Sequence, residues 1–176
     1  MKITMLMLQR FDIYILSIIN KYLRNKYMDT FMCIMTKLGD MGAIWIAIAF
    51  ILLLDKTYRY MGKMIIITLV ASTVLGEGIL KHLIKRLRPC NEKKDIELII
   101  KKPVSLYSFP SGHTLSSFAV AGVLSTYFIQ YELIFIVLAS LIALSRIYLY
   151  VHYPTDVIGG IIIGLMCSKF ILIFCN

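Results

Sequence analysis

Long apolar runs separated by short polar breaks organise this chain. Residues 11–22 (FDIYILSIINKY) form an apolar stretch that carries Asp12 and is too short to cross a bilayer alone. Residues 26–39 place Met28, Phe31, Met32, Met35 and Leu38 at helical spacing, which predicts an amphipathic helix lying at the membrane interface or partly inserted. Five apolar runs follow, at about 41–54, 62–80, 112–131, 133–151 and 155–174. Pro89 opens a polar loop over 89–110, and Tyr131–Glu132 is so short a turn that its flanking helices must be antiparallel neighbours. Gly160 and Gly164 form a small-xxx-small pair suited to close helix packing. The expected architecture is an all-α integral membrane protein with five to six transmembrane helices. It forms a single domain over 1–176, divided into an amphipathic region (1–40) and a helical core (41–176).

Composition supports this reading. The 176 residues are 59% hydrophobic with mean hydropathy +0.79, above the roughly half-apolar makeup of soluble domains. The formal charge is +9. Between Lys81 and Lys102 there are eight Lys and Arg against three acids, Glu92, Asp95 and Glu97. Such a segment is either a loop attracted to anionic headgroups or a cationic funnel for an anionic substrate, and the two are compatible. No nucleic-acid-binding motif surrounds these charges. Cys33, Cys90, Cys167 and Cys175 make neither a CxxC pair nor a disulfide framework, and no metal site or cofactor motif is legible. The N-terminus lacks a small-residue cleavage signal.

Three polar clusters interrupt the apolar pattern: KHLIKRLRP (Lys81–Pro89), PSGH (Pro110–His113) and SRIYLYVHYPTD (Ser145–Asp156). They fall at the end of the second run, the start of the third, and across the end of the fourth and start of the fifth. Successive crossings reverse direction, so all three meet at one membrane face.

Lys81, Lys85 and Arg88 are spaced to line one helix face, with Pro89 ending that helix. Lys85 and Arg86 also read simply as side chains snorkelling to the headgroups, whereas Lys81 lies four residues after Glu77 and can pair with it. PSGH is a helix start. Ser111 there is either a cap or a phosphate donor beside the unpaired backbone amides that the Pro110–Ser111–Gly112 start can leave pointing outward. Arg146 lies in an apolar run, where a cation is expensive and points to function. His152 and Asp156 are four residues apart, so the carboxylate can fix one tautomer of the imidazole. A purely structural His–Asp pair is the plain alternative.

The ordered clusters resemble the membrane-bound type-2 phosphatidic acid phosphatase superfamily, whose motifs are related to those of vanadium haloperoxidases. The family pattern is Lys, six residues, Arg-Pro; then Pro-Ser-Gly-His; then Ser-Arg, five residues, His, three residues, Asp. Lys81, Arg88 and Pro89, Pro110 to His113, and Ser145, Arg146, His152 and Asp156 match every position. The resemblance implies that His152 is the nucleophile of a phosphohistidine mechanism, that Asp156 orients it, and that His113 is the general acid and base. It also implies that Lys81, Arg88, Ser111, Gly112 and Arg146 bind phosphoryl oxygens, without a metal. The implied substrate is a membrane lipid phosphate: undecaprenyl diphosphate, phosphatidylglycerol phosphate or phosphatidate. The implied location is a bacterial cytoplasmic membrane with an extracytoplasmic site, although the positive-inside rule alone points the other way. A lipid phosphotransferase and a catalytically idle anionic-lipid-binding protein remain open, and the sequence leaves the oligomeric state undetermined.

Overall fold

The computed structural model describes residues 2–92, 98–101, 103 and 105–175. Among them the regular secondary structure is helical throughout. Helix α1 (Lys2–Ile18) runs into a π-helical turn, Ile19–Leu23. Helices α2 (Lys26–Gly39) and α3 (Ala43–Leu54) follow. Helix α4 (Arg59–Thr73) passes through a π-helical segment, Val74–Leu80, into α5 (Lys81–Ile84). A short α6 (Pro89–Glu92), then α7 (Gly112–Tyr127), α8 (Glu132–Tyr148) and α9 (Pro154–Phe174) complete the order.

Among the described residues, four stretches are long and apolar enough to cross a membrane: Lys26–Leu54, Arg59–Ile84, Ile129–Tyr148 and Pro154–Phe174. This is fewer than the five to six expected. Helix α7 has only 16 residues, falling short of the roughly 20 that a lone span needs. It is the central helix, with a buried row from Thr114 to Leu124 packed among α4, α8 and α9.

The helix expected over 26–39 is present as α2. Helices α2 and α3 form one 29-residue stretch, bent where Met41 and Gly42 take positive φ angles of 53° and 72°. Along its polar side, Thr36, Lys37 and Asp40 line a cavity of the protein.

Helices α7 and α9 meet along a seam of small residues. A Cβ added at Gly164 would lie 2.6 Å from the Leu115 carbonyl oxygen, and one at Gly160 would lie 3.0 Å from Thr114 Cβ. The close approach anticipated from the glycine spacing is thus present, and it is backbone against side chain and backbone. Across α7, Trp45 of α3 is fully buried and donates from Nε1 to Ser117 Oγ at 3.0 Å. Gly164→Ala is expected to destabilise the protein by about 1–3 kcal/mol, because two backbones must separate to admit the methyl group. Gly78→Ala, where a Cβ meets nothing within 4 Å, is the control. Thermal unfolding in detergent reads both, and equal midpoints for the two variants would count against the tight seam.

Candidate active site

Local breaks in the helices aim the polar side chains. Helix α5 stops at Ile84 because Lys85 turns left-handed, with φ 52°. The common helix face expected for Lys81, Lys85 and Arg88 therefore ends early. Lys85 is exposed, and Pro89 opens α6 rather than closing α5. After the turn, Leu87 pairs with Tyr107 as an isolated antiparallel bridge. Arg88 is directed inward, donating from Nε to Ser105 O at 2.7 Å and from Nη1 to Val151 O at 3.0 Å. Lys81 is buried and pairs with both carboxylate oxygens of Glu77, at 2.6 and 2.7 Å, as the four-residue spacing suggested.

Between α8 and α9 the chain folds back on itself. The amides of Val151 and His152 both donate to the Arg146 carbonyl at 3.2 Å, and Tyr150, just before them, takes a φ of 62°. Helix α9 then starts with Pro154 in its first turn, and Asp156 Oδ2 accepts from the Tyr153 amide at 2.8 Å. The starts of α7 and α9 are joined directly, because Ser111 N donates to Asp156 O at 3.2 Å.

These turns surround a cavity of about 970 Å³. Six of the eight anticipated residues line it: Lys81, Arg88, Gly112, His113, Arg146 and His152. Asp156 and Ser111 are fully buried and are not among the lining residues. Ser111 sits at the cap position of α7 without a side-chain capping bond among the described residues. Its hydroxyl accepts from Thr114 Oγ1 at 2.9 Å instead.

His152 is 1% exposed. Its Nε2 lies 3.0 Å from Arg88 Nη1. A guanidinium can only donate, so Nε2 accepts and the ring proton resides on Nδ1. Nδ1 points toward Asp156 Oδ2 at 3.7 Å, beyond hydrogen-bond distance, and has no partner among the described residues. The expected His–Asp dyad is therefore assembled but loose, as such pairs often are before substrate tightens them. Burial, followed by the charges of Arg88, Arg146 and Lys81, holds the His152 pKa well below the ordinary histidine value. The ring is a neutral base with its lone pair on Nε2.

Arg146, 5% exposed, donates from Nη1 to Thr36 Oγ1, while its Nε has no partner among the described residues. His113 Nε2 lies 2.7 Å from Asp40 Oδ1.

Several groups at the site were missed from the sequence. Asp40, Thr36, Lys37 and Lys101 also line the cavity. Asp40 carried one usable signal, a carboxylate inside an apolar region. Arg86, read as a snorkelling side chain, is instead engaged by Asp12 and Asp156 at 2.6 and 2.8 Å.

Residues 62–176 match the family model described as "PAP2 superfamily". The chain is 34% identical over 156 residues to an undecaprenyl-diphosphatase of Sulfolobus acidocaldarius, covering 88% of this chain and 73% of that protein. It is similar in structure to LpxE of Aquifex aeolicus, with TM-score 0.80, 30% identity, and coverage of 93% of this chain and 96% of that one. It is also similar to a transmembrane PAP2-type phosphatidylglycerolphosphate phosphatase of Bacillus subtilis, with TM-score 0.75, 25% identity, and coverage of 95% and 85%.

Arg88 makes three contacts with one planar fork, a geometry that lysine lacks. Arg88→Lys is expected to weaken inhibition by inorganic phosphate about tenfold or more, the scale of one charge-assisted hydrogen bond. A competition assay measures it, and an unchanged inhibition constant would remove Arg88 from the anion site.

Proposed function

Because the chain belongs to the PAP2 superfamily and is a phosphoric ester hydrolase of membrane lipids, we propose that it works through a phosphohistidine on His152 without a metal ion. The observation that carries this reading is the neutral His152, whose accepting Nε2 lies against Arg88 at the wall of a cationic cavity. In the first step Nε2 attacks phosphorus, the bond to the lipid oxygen breaks, and His113 gives that oxygen a proton. In the second step His113 takes a proton from water, which displaces the phosphoryl group from His152 as inorganic phosphate. Asp156 accepts from Nδ1–H as positive charge develops on the ring. Lys81, Arg88 and Arg146, with the amides at the start of α7, balance the charge on the transferring oxygens, a task metals perform elsewhere.

The cavity favours a substrate with two phosphate groups. Lys37 and Lys101 line it beyond the three motif cations, giving five cations against two acids, Asp40 and Glu77. That excess suits undecaprenyl diphosphate or phosphatidylglycerol phosphate better than phosphatidate. Leu69, Ile99 and Ile100 supply apolar wall for the proximal lipid chain. The site is proposed to open on the extracytoplasmic side of a bacterial cytoplasmic membrane, the chain being one domain.

Inorganic phosphate release from a lipid panel with EDTA present tests the core of the reading. Activity is expected to survive chelation, and phosphate release without an added acceptor separates hydrolysis from transfer. Abolition by EDTA that magnesium reverses would sink the metal-free mechanism. His152→Ala is expected to abolish turnover and the alkali-stable phosphoenzyme.

The pH profile follows from His152. A lowered pKa means that the nucleophile is lost only when pH falls through that lowered value. The acid limb of kcat/KM, corrected for substrate ionisation, is expected below the ordinary histidine value of 6.5. A limb at or above 6.5 would argue against a neutral, cation-flanked nucleophile.

General acid help matters most for poor leaving groups and is worth roughly 10²–10⁴-fold. His113→Ala is expected to lose far more activity on a lipid monophosphate than on p-nitrophenyl phosphate, provided that the first step limits both. Asp40→Asn, which removes the carboxylate beside His113, is expected to show the same selectivity more weakly. Equal losses on both substrates would remove the leaving-group role from His113.

A further inference from the structure

Behind the cavity lies a second set of charges that the proposed chemistry does not use. Asp12 of α1 and Asp156 of α9 are both fully buried. One guanidinium bridges them: Arg86 Nη2 donates to Asp12 Oδ2 at 2.6 Å, and Nη1 donates to Asp156 Oδ1 at 2.8 Å. The same Nη1 donates to Thr155 Oγ1 at 2.7 Å. Asp12 also grips the start of α9, accepting from Thr155 N at 2.9 Å and from Thr155 Oγ1 at 2.6 Å. Arg86 lies 4.0 Å from the centre of the Tyr153 ring, which screens the fork on one side. The family match begins at residue 62, so Asp12 lies outside it.

We propose that Asp12 and Arg86 are positioning residues for the His152–Asp156 dyad, making α1 a working part of the site. This rests on the reading that His152 is the nucleophile and Asp156 its partner. Two buried carboxylates without a cation between them cannot both stay ionised at modest cost. Arg86 supplies that cation, and its fork fixes the rotation of Asp156. Oδ1 is taken by Arg86 and Oδ2 by the Tyr153 amide, so the carboxylate cannot turn. Oδ2 is the oxygen facing His152 Nδ1. Asp12 holds Arg86 from behind. Burial acts to lower the Arg86 pKa, but Asp156 and Asp12 together keep it above the ordinary arginine value, as expected for a cation between two acids.

Neither Asp12 nor Arg86 lines the cavity, which separates this role from substrate binding. The test uses the full chain in detergent with Arg86→Met, Arg86→Lys, Asp12→Asn and His152→Ala. Steady-state kinetics on one lipid phosphate and competitive inhibition by inorganic phosphate are the readouts. Arg86→Met is expected to lower kcat about 10²-fold and Asp12→Asn about tenfold, the scale of a misplaced catalytic group. KM and the phosphate inhibition constant are expected to stay within about threefold of the parent. Arg86→Lys is expected to recover part of the kcat lost in Arg86→Met, because it restores the charge but not the fork. If Arg86→Met does not yield folded protein, Asp12→Asn and Arg86→Lys carry the comparison, since the first nearly preserves shape and the second preserves charge. Parent-like kcat in Arg86→Met or Asp12→Asn overturns the proposal. So does a loss confined to KM and phosphate affinity, or a loss that lysine does not relieve at all. His152→Ala separates the two levels. If it is inactive while Arg86→Met is fully active, the positioning role alone fails. If it retains turnover, the nucleophile assignment fails first.

Discussion

The close contact between α7 and α9 sets the geometry on which the site depends. With glycine at 160 and 164, the two helices approach until a single methyl group would collide with the α7 backbone or with Thr114. That spacing brings the two helix starts side by side, where Ser111 N reaches the Asp156 carbonyl. His113 at the start of α7 and the His152 turn before α9 therefore open into one cavity. A wider seam would part the two histidines. Close packing in a membrane rests on such small-residue contacts, since lipid tails offer helices no hydrophobic reason to associate.

A second constraint is the cost of buried charge. Lys81, Arg88 and Arg146 are 3–5% exposed, and each is held by a different device. Lys81 has Glu77 one turn away, Arg88 has two carbonyls, and Arg146 has Thr36 from the bent first span. Two of the three holders are thus neutral, so Arg88 and Arg146 keep their positive charge for an anion. Full neutralisation by carboxylates would have consumed the field that phosphate chemistry requires. Arg86, which is neutralised by two carboxylates, lies outside the cavity. Charge available to substrate and charge committed to structure are separated by position.

The bend between α2 and α3 belongs to the same logic. Positive φ at Met41 and Gly42 interrupts the helix beside the site, and Asp40 there meets His113. The polar stripe of α2, which resembles the wet face of an interfacial helix, contributes Thr36 and Lys37 to the lining of the cavity that holds the motif cations. Periodicity reports that a helix has a polar side. It does not report whether that side meets bulk water or a pocket.

The sequence by itself determined the helical, membrane-embedded class, the reversal of successive spans, and the convergence of Lys81, Arg88, His113, Arg146, His152 and Asp156 at one end of the bundle. Those features are local: apolar runs, helix-end prolines and glycines, and spacings of three to six residues that a helix or turn converts directly into geometry. It also supported the Lys81–Glu77 pair, for the same reason. Only the tertiary structure decided that Arg86 turns inward, that Asp12 meets it, and that Asp40 meets His113. Those partners are 73 or 74 residues apart, and no periodicity links them. Tertiary structure also decided that α2 joins α3 and that the His152–Asp156 pair is loose at 3.7 Å. A local pattern fixes which face a residue takes on its own helix. Which residue waits opposite depends on how helices pack, and that depends on the whole chain at once.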